Sequence, residues 1–366
     1  MSEQVQPARP TPYDERPAYD APTPPTYEPS PPEGAVDPLA LSDEEFDARY
    51  GQAYPSLRFH QLLRSGPRFG FWWSLLGALT MAFVMLVLAP VVWLVPFVVW
   101  LVATGQDWLA WLSALGTLSD PSPSMLAYLM LTLASLIPAA WFVARVIHGV
   151  RPRWLTSVGP RMRWGFFAVC LGLSVVALVA TVVVGALLPG GDTAGMDTTG
   201  GANPFTTTTL WFLLIVLFLV PFQAAGEEYL FRGYLTQALG GVFGRVWVAV
   251  LVPAFLFALA HGSQSVPVFF DRFAFGVVAG LLVVWTGGLE AAIAMHVLNN
   301  FLAFGLALAF GDIGSSLTPT GGSWWMIPST LTQSLVYLGL AVLVARRMGV
   351  ATRASGRALV ASQRRV

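Results

Sequence analysis

The sequence predicts an all-α protein, a polytopic membrane helical bundle of about eight transmembrane helices with a disordered N-terminal tail. Three observations carry this. Hydrophobic residues make up 55% of the 366 and charged residues 11%, whereas a soluble domain needs about a quarter charged. Eight segments hold roughly the 20 mostly apolar residues that a membrane crossing takes. Residues 1–40 contain eleven of the 27 prolines, a composition that buries too little apolar surface to offset the entropy of ordering.

The tail repeats ThrProTyrAsp, ProAlaTyrAsp and ProThrTyrGlu, units that suit either a solvated spacer or a docking peptide for a tail-binding protein. Ser42 and Glu45 have the spacing of a capping box, which predicts a short helix over 43–50. No apolar stretch of signal-peptide type lies between Met1 and Asp37, so the first spanning helix is expected to direct insertion.

The eight expected spans are 71–103, 125–147, 164–188, 207–235, 246–262, 272–286, 288–310 and 324–345. Pro90 and Pro96 interrupt the first, and the fifth and sixth are short. Arginine supplies every basic charge other than histidine. Arg58, Arg64 and Arg68, then Arg145 to Arg163, then Arg245, then Arg346 to Arg365 all fall on one side of an eight-span chain. The opposite loops carry Asp107, Asp120, Asp192, Asp197 and Asp312 and no arginine. Cytoplasmic loops collect arginine, so both termini are expected in the cytoplasm of a plasma-membrane protein. The segment 151–164, with two tryptophans among its arginines, suits anchoring at anionic headgroups. One cysteine, Cys170, excludes a disulfide within the chain. No nucleic-acid partner is expected; the lipid bilayer is.

Ionisable groups inside spans are costly and mark candidate sites. Beyond residue 50 the only glutamates are Glu227, Glu228 and Glu290. Glu228 and Arg232, four apart, share a helical face as an ion pair, while Glu227 points about 100° away, free to act as a base. His261 shares a face with Phe257, and Asn300 lies one turn beyond His296. Counted from the arginine-side turns, Glu227, His261 and His296 stand at roughly 20, 24 and 13 Å, a mismatch that tilt or a recessed loop could absorb. Gly276 and Gly280 suit close helix packing. Asp271 with Arg272 reads as a solvated interfacial pair, and Glu290 as a residue that snorkels outward.

These motifs resemble the CPBP intramembrane protease family, the CAAX-protease and bacteriocin-processing group related to the prenyl-protein endopeptidase Rce1. EExxxR matches Glu227, Glu228 and Arg232; FxxxH matches Phe257 and His261; HxxxN matches His296 and Asn300. The resemblance covers about residues 205–310. It divides the chain into a tail (1–60), N-terminal membrane helices (61–204), a protease-like core (205–310), and a last helix with a basic tail (311–366).

The resemblance implies an endopeptidase that cuts a membrane-associated protein or peptide. Glu227 and His261 would activate water, His296 and Asn300 would stabilise the oxyanion, and Glu228 and Arg232 would support them. No cofactor is required on this reading; a divalent metal such as zinc, held by Glu227, His261 and His296, is the alternative. Competing readings are a proton- or cation-coupled transporter and a catalytically idle scaffold or immunity protein.

Overall fold

The computed structural model describes residues 40–50, 55–118, 120–187, 201–262, 264–317 and 322–363. The proline-rich stretch 1–39, with its expected docking function, lies outside the described residues. The capping box forms as its spacing predicts. The Ser42 hydroxyl accepts from the Glu45 amide at 3.2 Å and the Glu45 carboxylate accepts from the Ser42 amide at 2.8 Å, opening α1 (Asp43–Tyr50).

The boundary placed at residue 60 cuts an ordered segment. Strand β1 (Leu57–Arg58) runs into a 3-10 turn, Phe59–Ser65, whose Phe59, Leu62 and Leu63 are completely buried. His60 is buried with them. Burial first, and then the charges of Arg58, Arg64 and Arg353, pull its imidazole down to about 4. Folded His60 is thus neutral where an unfolded one, with a pKa near 6.5, takes up a proton. Stability that is complete above about pH 6.5 is lost as the pH falls toward 4. Between pH 7 and 4.5 the melting temperature of the purified wild type is expected to drop further than that of His60→Gln.

Seven helices among the described residues are long and apolar enough to cross a membrane. They are α2 (Phe71–Ala103), α4 (Pro123–Ile147), α5 (Trp164–Leu187), α6 (Thr207–Phe243), α8 (Val266–Thr286), α9 (Glu290–Phe310) and α11 (Met326–Arg347). The chain is therefore a multi-pass membrane protein. The eighth expected span is a shorter apolar helix, α7 (Val246–Ala260), of 15 residues. It rises about 22 Å at 1.5 Å per residue and stops at His261. Short helices α3 (Trp108–Thr117) and α10 (Ile313–Leu317) lie in connections. Strand β2 (Arg353–Ala354) and α12 (Gly356–Gln363) end the described chain.

Helix α2 leaves almost all of its apolar surface uncovered, including Trp72, Leu79 and Leu86, as suits a helix facing lipid. Helix α9 is the opposite: every residue from Glu290 to Val297 is buried, because α5, α6 and α8 all pack around it. Gly276 and Gly280 let α8 close on Ala254 and Val250 of α7, the packing role their spacing predicts.

The arginine-bearing connections are tied together on one face. Leu57 pairs with Ala354 and Arg58 with Arg353 across β1 and β2. The Arg64 Nε donates to the Gly241 carbonyl at 2.7 Å, the Arg68 amide to the His148 carbonyl at 3.4 Å, and the Val158 amide to the Gly287 carbonyl at 2.9 Å. Segments preceding α2, between α4 and α5, between α6 and α7, between α8 and α9, and after α11 therefore share a face. Short as it is, α7 returns the chain to the other one.

Glu290 does not snorkel outward. It is completely buried, and its carboxylate accepts from Arg163 Nε at 2.8 Å, Arg163 Nη2 at 2.6 Å and the Arg163 amide at 3.0 Å. A buried carboxylate needs such partners, and the α4–α5 connection supplies them. Arg163 also donates to the Thr286 and Ala351 carbonyls, each at 3.0 Å, so one side chain fastens three segments. Glu290→Gln, which loses the charge, is expected to cost about 1–3 kcal/mol, read as a lower melting temperature.

Candidate active site

Helix α6 supplies the first motif. Gly226, just before it, lies so close to the Leu133 carbonyl of α4 that a Cβ would collide with backbone. That approach fixes the height of Glu227 and Glu228 against α4. Beyond them, Tyr229–Leu235 is wound as a π-helix, a local form common at functional sites.

Glu228 is completely buried, and its Oε1 accepts from Arg232 Nη1 at 2.9 Å, the pair the spacing predicts. The same oxygen accepts from His296 Nδ1 at 2.8 Å. With Nδ1 donating to Glu228, His296 presents Nε2 toward Glu227, 3.5 Å from its Oε2. The two adjacent glutamates thus meet opposite edges of one imidazole. Glu228 holds the ring, while Glu227 faces the cavity.

His261 sits at the end of α7, where its Nδ1 donates to the Phe257 carbonyl at 2.8 Å. A carbonyl can only accept, so the proton is on Nδ1 and Nε2 is left as an acceptor. Phe257 is the hub of the cluster. Its ring stands edge-on to His261 at 4.6 Å and to His296 at 5.8 Å, and the Arg232 guanidinium lies 4.3 Å from its centroid. The fixed phenylalanine of FxxxH thereby packs against both histidines and the arginine.

Asn300 donates through Nδ2 to Gln223 Oε1 at 3.0 Å. Gln223 precedes Glu227 by one turn and lines the same cavity. Its polarity in an apolar run and its spacing of four from Glu227 were a legible signal that the motif reading passed over. Asp271 and Arg272 are a second departure. Helix α8 begins at Val266, with Pro267 in its first turn, six residues earlier than expected. Both side chains consequently line the cavity instead of standing solvated at the interface. Arg272 Nη1 donates to Gln264 Oε1 at 2.8 Å.

Glu227, His261, His296 and Asn300 thus line one cavity of about 390 Å³. The depth mismatch is resolved by the α8–α9 turn. Gly287, at φ 72°, has Ala351 and Thr352 beneath it and Val158 alongside. Only a residue without a Cβ makes this left-handed turn against that backbone. The turn is recessed behind the surface, which lifts His296 to the level of Glu228.

The comparisons agree with this region. A family model described as Type II CAAX prenyl endopeptidase Rce1-like matches residues 207–302, which hold all three motifs. Residues 207–302 are thus similar to the Rce1-like family. A Bacillus subtilis (strain 168) protein described as uncharacterized protein YyaK is 28% identical over 242 residues, 62% of this chain and 77% of that protein. No solved structure matches. With its seven apolar helices the chain is a multi-pass membrane protein that contains an Rce1-like region.

Among the described residues no three His, Cys, Asp or Glu side chains gather as a set able to hold a metal ion. A divalent metal on Glu227, His261 and His296 is the alternative that chelation tests.

Proposed function

We propose that this protein is an intramembrane endopeptidase in which Glu227 is the general base. The observation that carries the reading is the convergence of Glu227, His261, His296 and Asn300 on one cavity, with His296 anchored from behind by Glu228. Water between Glu227 and the acceptor Nε2 of His261 loses a proton to Glu227 as its oxygen attacks the scissile carbonyl carbon. The carbonyl oxygen becomes the oxyanion. Asn300 stabilises it through the Nδ2 hydrogen not given to Gln223, and His296 through Nε2 when the ring carries a second proton beside its Nδ1–H. Glu227 then returns the proton to the amide nitrogen, the C–N bond breaks, and a carboxylic acid and an amine leave.

Glu228 and Arg232 act at one remove, holding His296 and each other. The substrate is a membrane-associated protein or peptide, the termini lie in the cytoplasm, and the membrane is the plasma membrane.

The test compares membrane-proximal peptides from cells holding the wild type or His261→Ala at equal accumulation. Peptides that disappear with His261→Ala support the reading; identical profiles overturn it. Cleavage of such a peptide by the purified protein is expected to be unchanged by a strong chelator. Loss on chelation, restored by zinc, would replace the glutamate mechanism with a metal one.

A further inference from the structure

The two ends of the cavity differ. Toward the arginine-rich face it is closed by a layer in which Arg232, Tyr234, Thr236 and Gln237 are buried. Beneath that layer the chain from Pro152 to Val158 is laced in place. Tyr229 bonds Thr156 at 2.7 Å, Gln237 donates to the Trp154 carbonyl at 2.8 Å, and the Leu289 amide donates to the Thr156 carbonyl at 2.9 Å. The buried turn Phe59–Ser65 packs against the end of α6 below this.

In the other direction the cavity wall continues through Ala303 to Leu118, Ser316, Leu317 and Thr330. Leu118 follows α3, Ser316 and Leu317 belong to α10, and Thr330 lies in the first turns of α11. All of these stand at the face opposite the arginines. Along α6, Glu227 is about 25 Å of helix, at 1.5 Å per residue, from Gly244 on the arginine face. His261 ends a helix that has risen away from that same face.

Charge identifies the faces. Every arginine-bearing loop is tied into the closed face, whereas the loops of the open face carry aspartates alone. Arginine-rich loops stay in the cytoplasm. Building on the hydrolytic reading above, we infer that the site takes its substrate from the extracytoplasmic side of the membrane. Its substrates are then membrane-bound or exported polypeptides presented at the outer leaflet, not prenylated tails anchored in the cytoplasmic leaflet. At about 390 Å³ the cavity is at the small end of ligand clefts, which run about 300–1,000 Å³. That size suits a single extended segment.

The chain is well suited to a direct test, because its one cysteine, Cys170, is completely buried. Ala303→Cys within the cavity, Leu317→Cys at its mouth and Thr352→Cys on the arginine face would be produced singly in bacterial cells. A small, charged, membrane-impermeant methanethiosulfonate would then be applied to intact cells and to inside-out vesicles. The expected result is reaction of Leu317→Cys and Ala303→Cys in intact cells, and of Thr352→Cys only in inside-out vesicles. Reaction of Ala303→Cys only in vesicles, or in neither preparation, overturns the inference, as does reaction of Thr352→Cys in intact cells.

Peptides in the medium and at the cell surface, compared between wild type and Glu227→Gln, separate this inference from the protease reading. Loss of extracytoplasmic fragments supports both. Changes confined to cytoplasmic peptides overturn the inference alone. Identical profiles overturn the protease reading and leave the direction of the opening to be decided by the labelling.

Discussion

Glu227→Gln is expected to lower the single-turnover cleavage rate by about 10²–10⁴-fold, the contribution a positioned general base makes, with little change in melting temperature. The substitution is nearly isosteric. Glu227 has no hydrogen bond holding its Oε2, which lies 3.5 Å from His296, so the amide disturbs little packing while removing the group that takes the proton. Glu228→Gln tests the same chemistry from the other side. Its effect should come through His296 and be accompanied by a fall in stability, because Glu228 holds both Arg232 and the ring. A Glu227→Gln protein that retains full turnover would remove Glu227 from the mechanism, whatever happens at Glu228. The substrate for these measurements is a peptide identified by the cellular comparison.

Arg232→Leu is expected to be the most destabilising single change, by about 3–5 kcal/mol. Both members of its pair are buried, Arg232 at 1% exposure and Glu228 at 0%, so neither has water to fall back on. Removing the guanidinium leaves a carboxylate without its ion-pair partner and strips the cation from the Phe257 ring 4.3 Å away. Arg232→Lys keeps the charge but not the planar face, and should fall between. If the cost arises from the stranded charge, adding Glu228→Gln to Arg232→Leu should recover part of it. A double-mutant cycle on melting temperature reads that coupling. Additive losses would show that Arg232 acts through packing alone.

The residues that could be read from the sequence were those whose meaning is local. Glu228 with Arg232 is a matter of helical periodicity, and Ser42 with Glu45 a matter of capping; neither needs the rest of the chain. Glu227, Glu228, His261 and His296 stood out for a different reason, the cost of ionisable groups in lipid. What the sequence concealed depends on distant partners. Glu290 is an ordinary interfacial acid until Arg163, 127 residues earlier, is folded against it. Asp271 and Arg272 became cavity residues only because Pro267 starts α8 a turn and a half before the apolar run that marks it. The His296 depth could not be counted correctly from Gly287 without knowing that Ala351 and Thr352 lie beneath that turn.

Gln223 is a different case: nothing hid it. It sits among apolar residues four before Glu227, and a reading centred on known motifs stopped one turn short. Its bond to Asn300 means that the amide proposed to meet the oxyanion is already oriented by the helix that carries the base.

The clasp between β1 and β2 bears on how the molecule is made. Leu57 leaves the ribosome early, yet its partner Ala354 emerges only after every spanning helix has been synthesised. Arg163 waits in the same way for Glu290 and then for Ala351. The helices can insert one by one as they appear, but the arginine-bearing base that levels His296 with Glu228 is sewn shut last. A nascent chain therefore carries its candidate site residues into the membrane before they are aligned, and residues 351–354 complete the alignment.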